Sequence, residues 1–123
     1  MEVKRLVLIL TTENPTALLE FYRDTVGLPE VFDSGPGEGL EGGAVRVGGA
    51  VLIIEAHSDT AGPAREPHRH LLDLHVDDAY AEQERLRALG VQFIRPATRE
   101  NFGGLVATFV DPDGNFVQLV QDP

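Results

Sequence analysis

"RLVLILT" at residues 5–11 and "RHLLDLH" at residues 69–75 superpose at a spacing of 64 residues, and this likeness decides the fold. Each run is short, rich in leucine and branched side chains, and reads as a buried strand. Working outward, each is followed by a helical stretch that stops at a glycine, Gly27 in the first half and Gly90 in the second. In "ENPTALLEFYRDTVGL" (13–28) Asn14 is placed to cap the helix, Pro15 takes its first position, and Leu18, Phe21, Tyr22 and Thr25 recur on one side as core. "DDAYAEQERLRAL" (77–89) opens on an Asp cap in the same way.

Three strands follow each helix. The first half has "PEVFDS" (29–34), the connection "GPGEGLEGG" (35–43), "AVRV" (44–47), a turn at Gly48-Gly49, and "AVLIIEA" (50–56). The second has "VQFIRP" (91–96), "LVATFV" (105–110) and "NFVQLVQ" (115–121). "VGGAVLIIEA" superposes on "DPDGNFVQLVQD" with Gly49 over Gly114, which sets Val7 on Leu71 and Ile53 on Gln118. The polar stretch "HSDTAGPAREPHR" (57–69) separates the halves as an exposed connection, so His57, His68 and His70 read as solvated loop histidines. The predicted organisation is one α+β domain with module one over 1–57, a connection over 58–69 and module two over 70–123. Its two paired βαβββ modules form a concave mixed sheet with the helices outside.

The chain has 123 residues, a formal charge of −10 and no cysteine. That length supports a core without metal clips, and the negative charge disfavours nucleic acid and anionic membranes as partners. Disulfides, thiolate nucleophiles and cysteine-based zinc sites are excluded. Glu2 and Lys4 interrupt the start too early for a secretory signal, and no run is long enough to span a bilayer. The expected location is cytoplasmic.

Alternation along the strands divides the side chains between two faces. Leu6, Leu8, Leu10, Leu52, Ile54, Leu72, Leu74, Val76, Val117 and Leu119 are expected to face the helices. The opposite face gathers Arg5, Val7, Ile9, Thr11, Val51, Ile53, Glu55, Leu71, Asp73, His75, Phe116, Gln118 and Val120, an apolar surface with a few polar groups that suits a small ligand. Slipping the second module by one residue to bring His70 inward would turn Asp73 and His75 against the helices, a costly burial of two ionisable groups. Asp73 and His75 stand on one side of one strand and could form an acid–base pair, although Arg5 could equally pair with Asp73 or Glu55. Gln118 has the donors and acceptor to bind a ligand. Phe102, in "ENFGG" (100–104), reads either as a flap at a pocket mouth or as an ordinary surface turn.

"LLEFYRDTVGL" after the first strand, "DPDGNFVQL" at the end and the doubled βαβββ order together resemble the vicinal oxygen chelate superfamily of glyoxalase I, extradiol dioxygenases and bleomycin-resistance proteins. The resemblance covers nearly the whole chain and implies the glyoxalase/bleomycin resistance/dioxygenase fold. It also implies a metal site of His, Gln or Glu on the first and last strands of each module, with glutamate usual on the closing one. By position those places fall on Val7, Ile53, Leu71 and Gln118, three of which have no donor atom, so no metal and no other cofactor is expected.

Two functions from different classes stay open. The first is a metal-independent binding protein that sequesters a drug or metabolite, a small organic ligand for which a cation would suit the acidic surface. The resemblance implies a homodimer whose pairing completes the pocket. The second is a glyoxalase-type lyase, isomerase or dioxygenase that uses either an atypical metal set (Asp73, His75 and Gln118) or the Asp73/His75 pair as catalytic residues. A structural or regulatory role gains little, because no unusually apolar exposed run is visible.

Overall fold

The computed structural model describes residues 1–35 and 41–123. Strand β1 (Val7–Thr12) leads into α1 (Pro15–Glu20), a π-helical turn (Phe21–Thr25), and β2 (Glu30–Asp33), β3 (Gly42–Val47) and β4 (Ala50–Ala56). Then β5 (Leu72–His75), α2 (Ala79–Ala88), β6 (Phe93–Arg99), β7 (Leu105–Val110) and β8 (Phe116–Gln121) repeat that order. The chain divides into two compact units, Met1–Gly62 and Pro63–Pro123. Each unit has one four-stranded mixed sheet, ordered β1-β4-β3-β2 in the first and β5-β8-β7-β6 in the second. In each, the first strand runs parallel to the last, and the remaining pairs are antiparallel. The α+β class and the doubled βαβββ plan are therefore as expected.

In the first unit α1 lies over β3 and β4 and brings Leu18, Leu19 and Tyr22 into the core with Val45, Leu52 and Ile54. Asn14 does not cap the helix through its side chain. Its N–H is instead taken by the Thr12 hydroxyl at 2.9 Å, so the turn into the helix is held by the preceding threonine. The regular helix also ends sooner than its spacing suggests. After Glu20 the backbone widens into the π turn, in which the Val26 N–H reaches the Phe21 carbonyl at 2.8 Å, and Gly27 then stops it at φ +91°. Leu6 and Leu8, expected in the core, are 67% and 38% exposed. The sheet begins only at Val7, and the short α1 covers the central strands better than the edge strand β1. The expected connection over 35–43 includes residues 36–40, which lie outside the described residues.

Arg23, in the π turn, ties that turn to β2. Its guanidinium grips Asp24 through two bonds of 2.8 and 2.9 Å and reaches Glu30 and Asp33 at 3.0 and 3.1 Å. The Asp24 bonds, followed by the Glu30 bond, push Arg23 further up from its ordinary value, and the Arg23 bond holds the Asp24 carboxyl below its own. A lowered carboxyl stabilises the fold fully above the ordinary carboxylate range and loses that contribution as pH falls below the range and through the carboxyl's own lowered value. Arg23→Gln is accordingly expected to lower the melting temperature at pH 7, with the difference from the parent protein shrinking toward pH 3. Equal differences at both pH values would show that the carboxylates do not matter there.

In the second unit α2 lies over β6, β7 and β8, with Leu74, Ala79, Leu86, Phe109, Val117 and Leu119 buried. Asp78 caps this helix as expected, its side chain accepting the Ala81 N–H at 2.9 Å. The Gln121 amide oxygen accepts the next free donor, the Ala79 N–H, at 2.9 Å, so β8 itself helps to start the helix. Strand β6 runs three residues further than "VQFIRP", to Arg99, and keeps Pro96 because it is an edge strand with register shifts. Among the described residues no helix is long and apolar enough to cross a membrane.

Candidate functional site

The face opposite the helices can be read row by row from the strand register. In the second unit Asp73 of β5 lies opposite Gln118 of β8, and Gln118 lies opposite Thr108 of β7. Side chains of directly paired residues share one face, so a carboxylate, an amide and a hydroxyl stand in one row across three neighbouring strands. The rows beside it are His75, Val120 and Val106 on one side, and Phe116 with Val110 on the other. In the first unit the corresponding row is Ile9, Ile53 and Ala44. Its neighbours are Val7, Val51 and Arg46, and Thr11, Glu55 and Gly42.

Most of the expected site residues therefore fall on the expected face of their own sheet: Val7, Ile9, Ile53 and Glu55 in the first unit, Asp73, His75, Phe116 and Gln118 in the second. The burial of Leu74, Val117 and Leu119 on the helix side agrees with the unslipped register. Arg5 and Leu71 precede their strands and are exposed. Thr108 was not singled out from the sequence, yet a signal for it exists. The turn between β7 and β8 spans residues 111–115, so counting outward from the Val110–Phe116 pair sets Thr108 beside Gln118.

Asp73 and His75 share a face without sharing a hydrogen bond. His75 Nδ1 lies 3.1 Å from a carboxylate oxygen of Asp122, just beyond the end of β8, and both side chains are more than half exposed. The strand places the two β5 side chains two residues apart, and the partner that reaches the imidazole comes from the chain's C-terminal end. Among the described residues neither Asp73 nor the Gln118 side chain takes a protein hydrogen-bond partner. No three His, Cys, Asp or Glu side chains among the described residues are grouped to hold an ion.

Of the loop histidines, His57 accepts the Asp59 N–H at 3.1 Å through Nδ1, and the His68 ring stands 6.4 Å from that of Phe116. Phe102 is part of the turn between β6 and β7, closed by Glu100 N–H to the Gly104 carbonyl and Gly103 N–H to the Glu100 carbonyl. Its ring lies over Gly104 where a side chain would otherwise project, and it remains 52% exposed. Two clefts are lined by residues of the first unit. One of about 420 Å³ runs along α1 between Glu13, Glu20, Arg23, Asp33 and Glu41, and one of about 480 Å³ is bordered by Thr12, His57 and Thr60.

The profile of the Glyoxalase/Bleomycin resistance protein/Dioxygenase superfamily matches residues 4–119. Among solved structures the chain is similar to SMU.1112c, with a TM-score of 0.79 and 22% identity over 97% of this chain and 99% of that one. It is similar to a member of the same superfamily from Sphaerobacter thermophilus, with a TM-score of 0.68 and 24% identity over 99% and 98% of the two chains. The lactoylglutathione lyase of Agrobacterium tumefaciens gives a TM-score of 0.71 and 20% identity over 94% and 91%. No curated protein matches the sequence.

Proposed function

The chain belongs to the glyoxalase/bleomycin resistance protein/dioxygenase superfamily, and from that membership we propose that it is a metal-independent small-molecule-binding protein. One observation supports this reading above the rest. The positions at which the resemblance implies metal donors hold Val7, Ile53, Leu71 and Gln118. Three hydrocarbon side chains and one neutral amide do not fit a transition metal, which needs about three protein donors for useful affinity. In each sheet by itself, the face opposite the helix is apolar with isolated polar groups, the makeup of a ligand surface.

The proposal extends to a homodimer in the cytoplasm that holds its ligand rather than transforming it. The net charge of −10 favours a cationic ligand over an anionic one. Purification without chelator, followed by elemental analysis and native mass spectrometry, tests these points together. The expected result is a mass of two chains with a retained organic molecule and no stoichiometric transition metal. One tightly held transition-metal ion per chain would overturn the reading.

The enzymatic alternative is favoured by one feature, the contact between His75 and Asp122. A carboxylate beside an imidazole orients the ring and suits it to proton transfer. If the retained molecule is turned over, His75→Ala should abolish the reaction, and an unchanged rate would remove His75 from any catalytic role.

A further inference from the structure

The two units supply an internal control for the polar row. Asp73, Gln118 and Thr108 occupy the places that Ile9, Ile53 and Ala44 occupy in the first unit, 64 or 65 residues earlier. The first sheet folds with no polar side chain in that row, so the architecture does not require one. Thr108 is nevertheless only 5% exposed, and no hydrogen bond to its hydroxyl occurs among the described residues. Yet the hydroxyl itself opens on solvent, because no enclosed side-chain nitrogen or oxygen among the described residues lacks a hydrogen-bond partner, so it is available to a group from outside the chain. Beside it stand an amide and a carboxylate that likewise lack protein partners among the described residues.

We propose that Asp73, Gln118 and Thr108 form a recognition row for a protonated amine with a carbonyl or hydroxyl oxygen two to four bonds from the nitrogen. Asp73 binds the ammonium group, the only one of the three that offers a full negative charge. Gln118, in the middle, bridges the two ends with its own donor and acceptor. Thr108 binds the oxygen and is the specificity-determining residue, because it separates amines that have such an oxygen from those that lack it. Neighbouring strands lie about 4.8 Å apart, so the row spans about 10 Å and fits a head group of this size. The apolar rows beside it, with Phe116, Val110, Val120 and Val106, would receive the hydrocarbon part of the ligand. This inference rests on the metal-independent reading above and names the ligand class for it.

Three related probes test it by amide-proton NMR titration of the full chain: phenylalaninamide, phenethylamine, which lacks the oxygen, and N-acetylphenylalaninamide, which lacks the charge. Phenylalaninamide is expected to bind most tightly and to shift the amide signals of residues 73, 108 and 118. Asp73→Asn should weaken both amines by about tenfold or more. Thr108→Val, which keeps the shape and suits a strand, should weaken phenylalaninamide about fivefold and leave phenethylamine unchanged. The inference is overturned if the acetylated probe binds equally well, if Thr108→Val weakens both amines alike, or if no amine binds at this row. Failure of the amine probes with a retained organic molecule and no metal would leave the broader reading standing. A stoichiometric metal ion would instead remove the premise.

Discussion

Asp111→Ala is expected to lower the free energy of unfolding by about 3 kcal/mol, because one buried carboxylate organises the whole turn between β7 and β8. Asp111 is only 4% exposed. One of its oxygens accepts the N–H groups of Asp113 and Asn115, both at 2.9 Å, and the other accepts the Asn115 side-chain amide at 2.8 Å. Alanine would leave these donors without their acceptor inside a tight turn, where water replaces it poorly. Asp111→Asn keeps an acceptor oxygen and should lose less. Urea denaturation measures both variants, with an unchanged slope expected because the surface exposed on unfolding stays the same. A loss under about 0.5 kcal/mol for the alanine variant would mean that the turn's backbone bonds suffice. The consequence reaches the face of the sheet opposite α2, since this turn starts β8 and thereby sets the register that puts Gln118 between Asp73 and Thr108.

Gly42→Ala should be at least as damaging, by about 3 kcal/mol or more, for a reason of space and backbone conformation together. Gly42 has φ +140°, and a Cβ there would fall on the carbonyl oxygen of Ile54 and within 2.9 Å of the Glu55 Cα. Both obstacles are backbone atoms of the paired strand β4, so relief requires moving β3 away from it. Gly48→Ala is the matched control. It also has positive φ, at +55°, but nothing lies within 4 Å of the added carbon, and a loss of about 1 kcal/mol is expected. Thermal melts of the two variants distinguish the causes: similar losses would mean that conformational strain alone acts at Gly42.

Much of this was legible in the chain because repetition and alternation are local properties. The pairing of residues 5–11 with 69–75 announced the doubled order of elements, and period-two alternation placed Asp73 and Gln118 on one face opposite Leu74 and Leu119. The family resemblance rested on the same segments. What local pattern could not supply was coverage: Leu6 and Leu8 have the right phase for a core, yet exposure depends on how far a short helix reaches across its sheet. Nor could it assign hydrogen-bond partners from outside the element. Thr12 accepted the Asn14 N–H while the Asn14 side chain made no cap bond, Gln121 assisted the cap of α2, and Asp122 reached His75 in place of Asp73.

The opening repeat thus determined the class, the succession of elements within each half and the absence of donor side chains at Val7, Ile53 and Leu71. Those are facts of residue type and spacing, which a strand's two-residue period converts directly into faces. The tertiary structure alone decided which side chains become neighbours across strands that no hairpin joins, such as β5 and β8. Asp73, Gln118 and Thr108 are separated by many residues along the chain and meet only because β8 pairs with β5 on one side and β7 on the other. Register between strands is set by turn geometry and packing, and these join groups that no sequence period links.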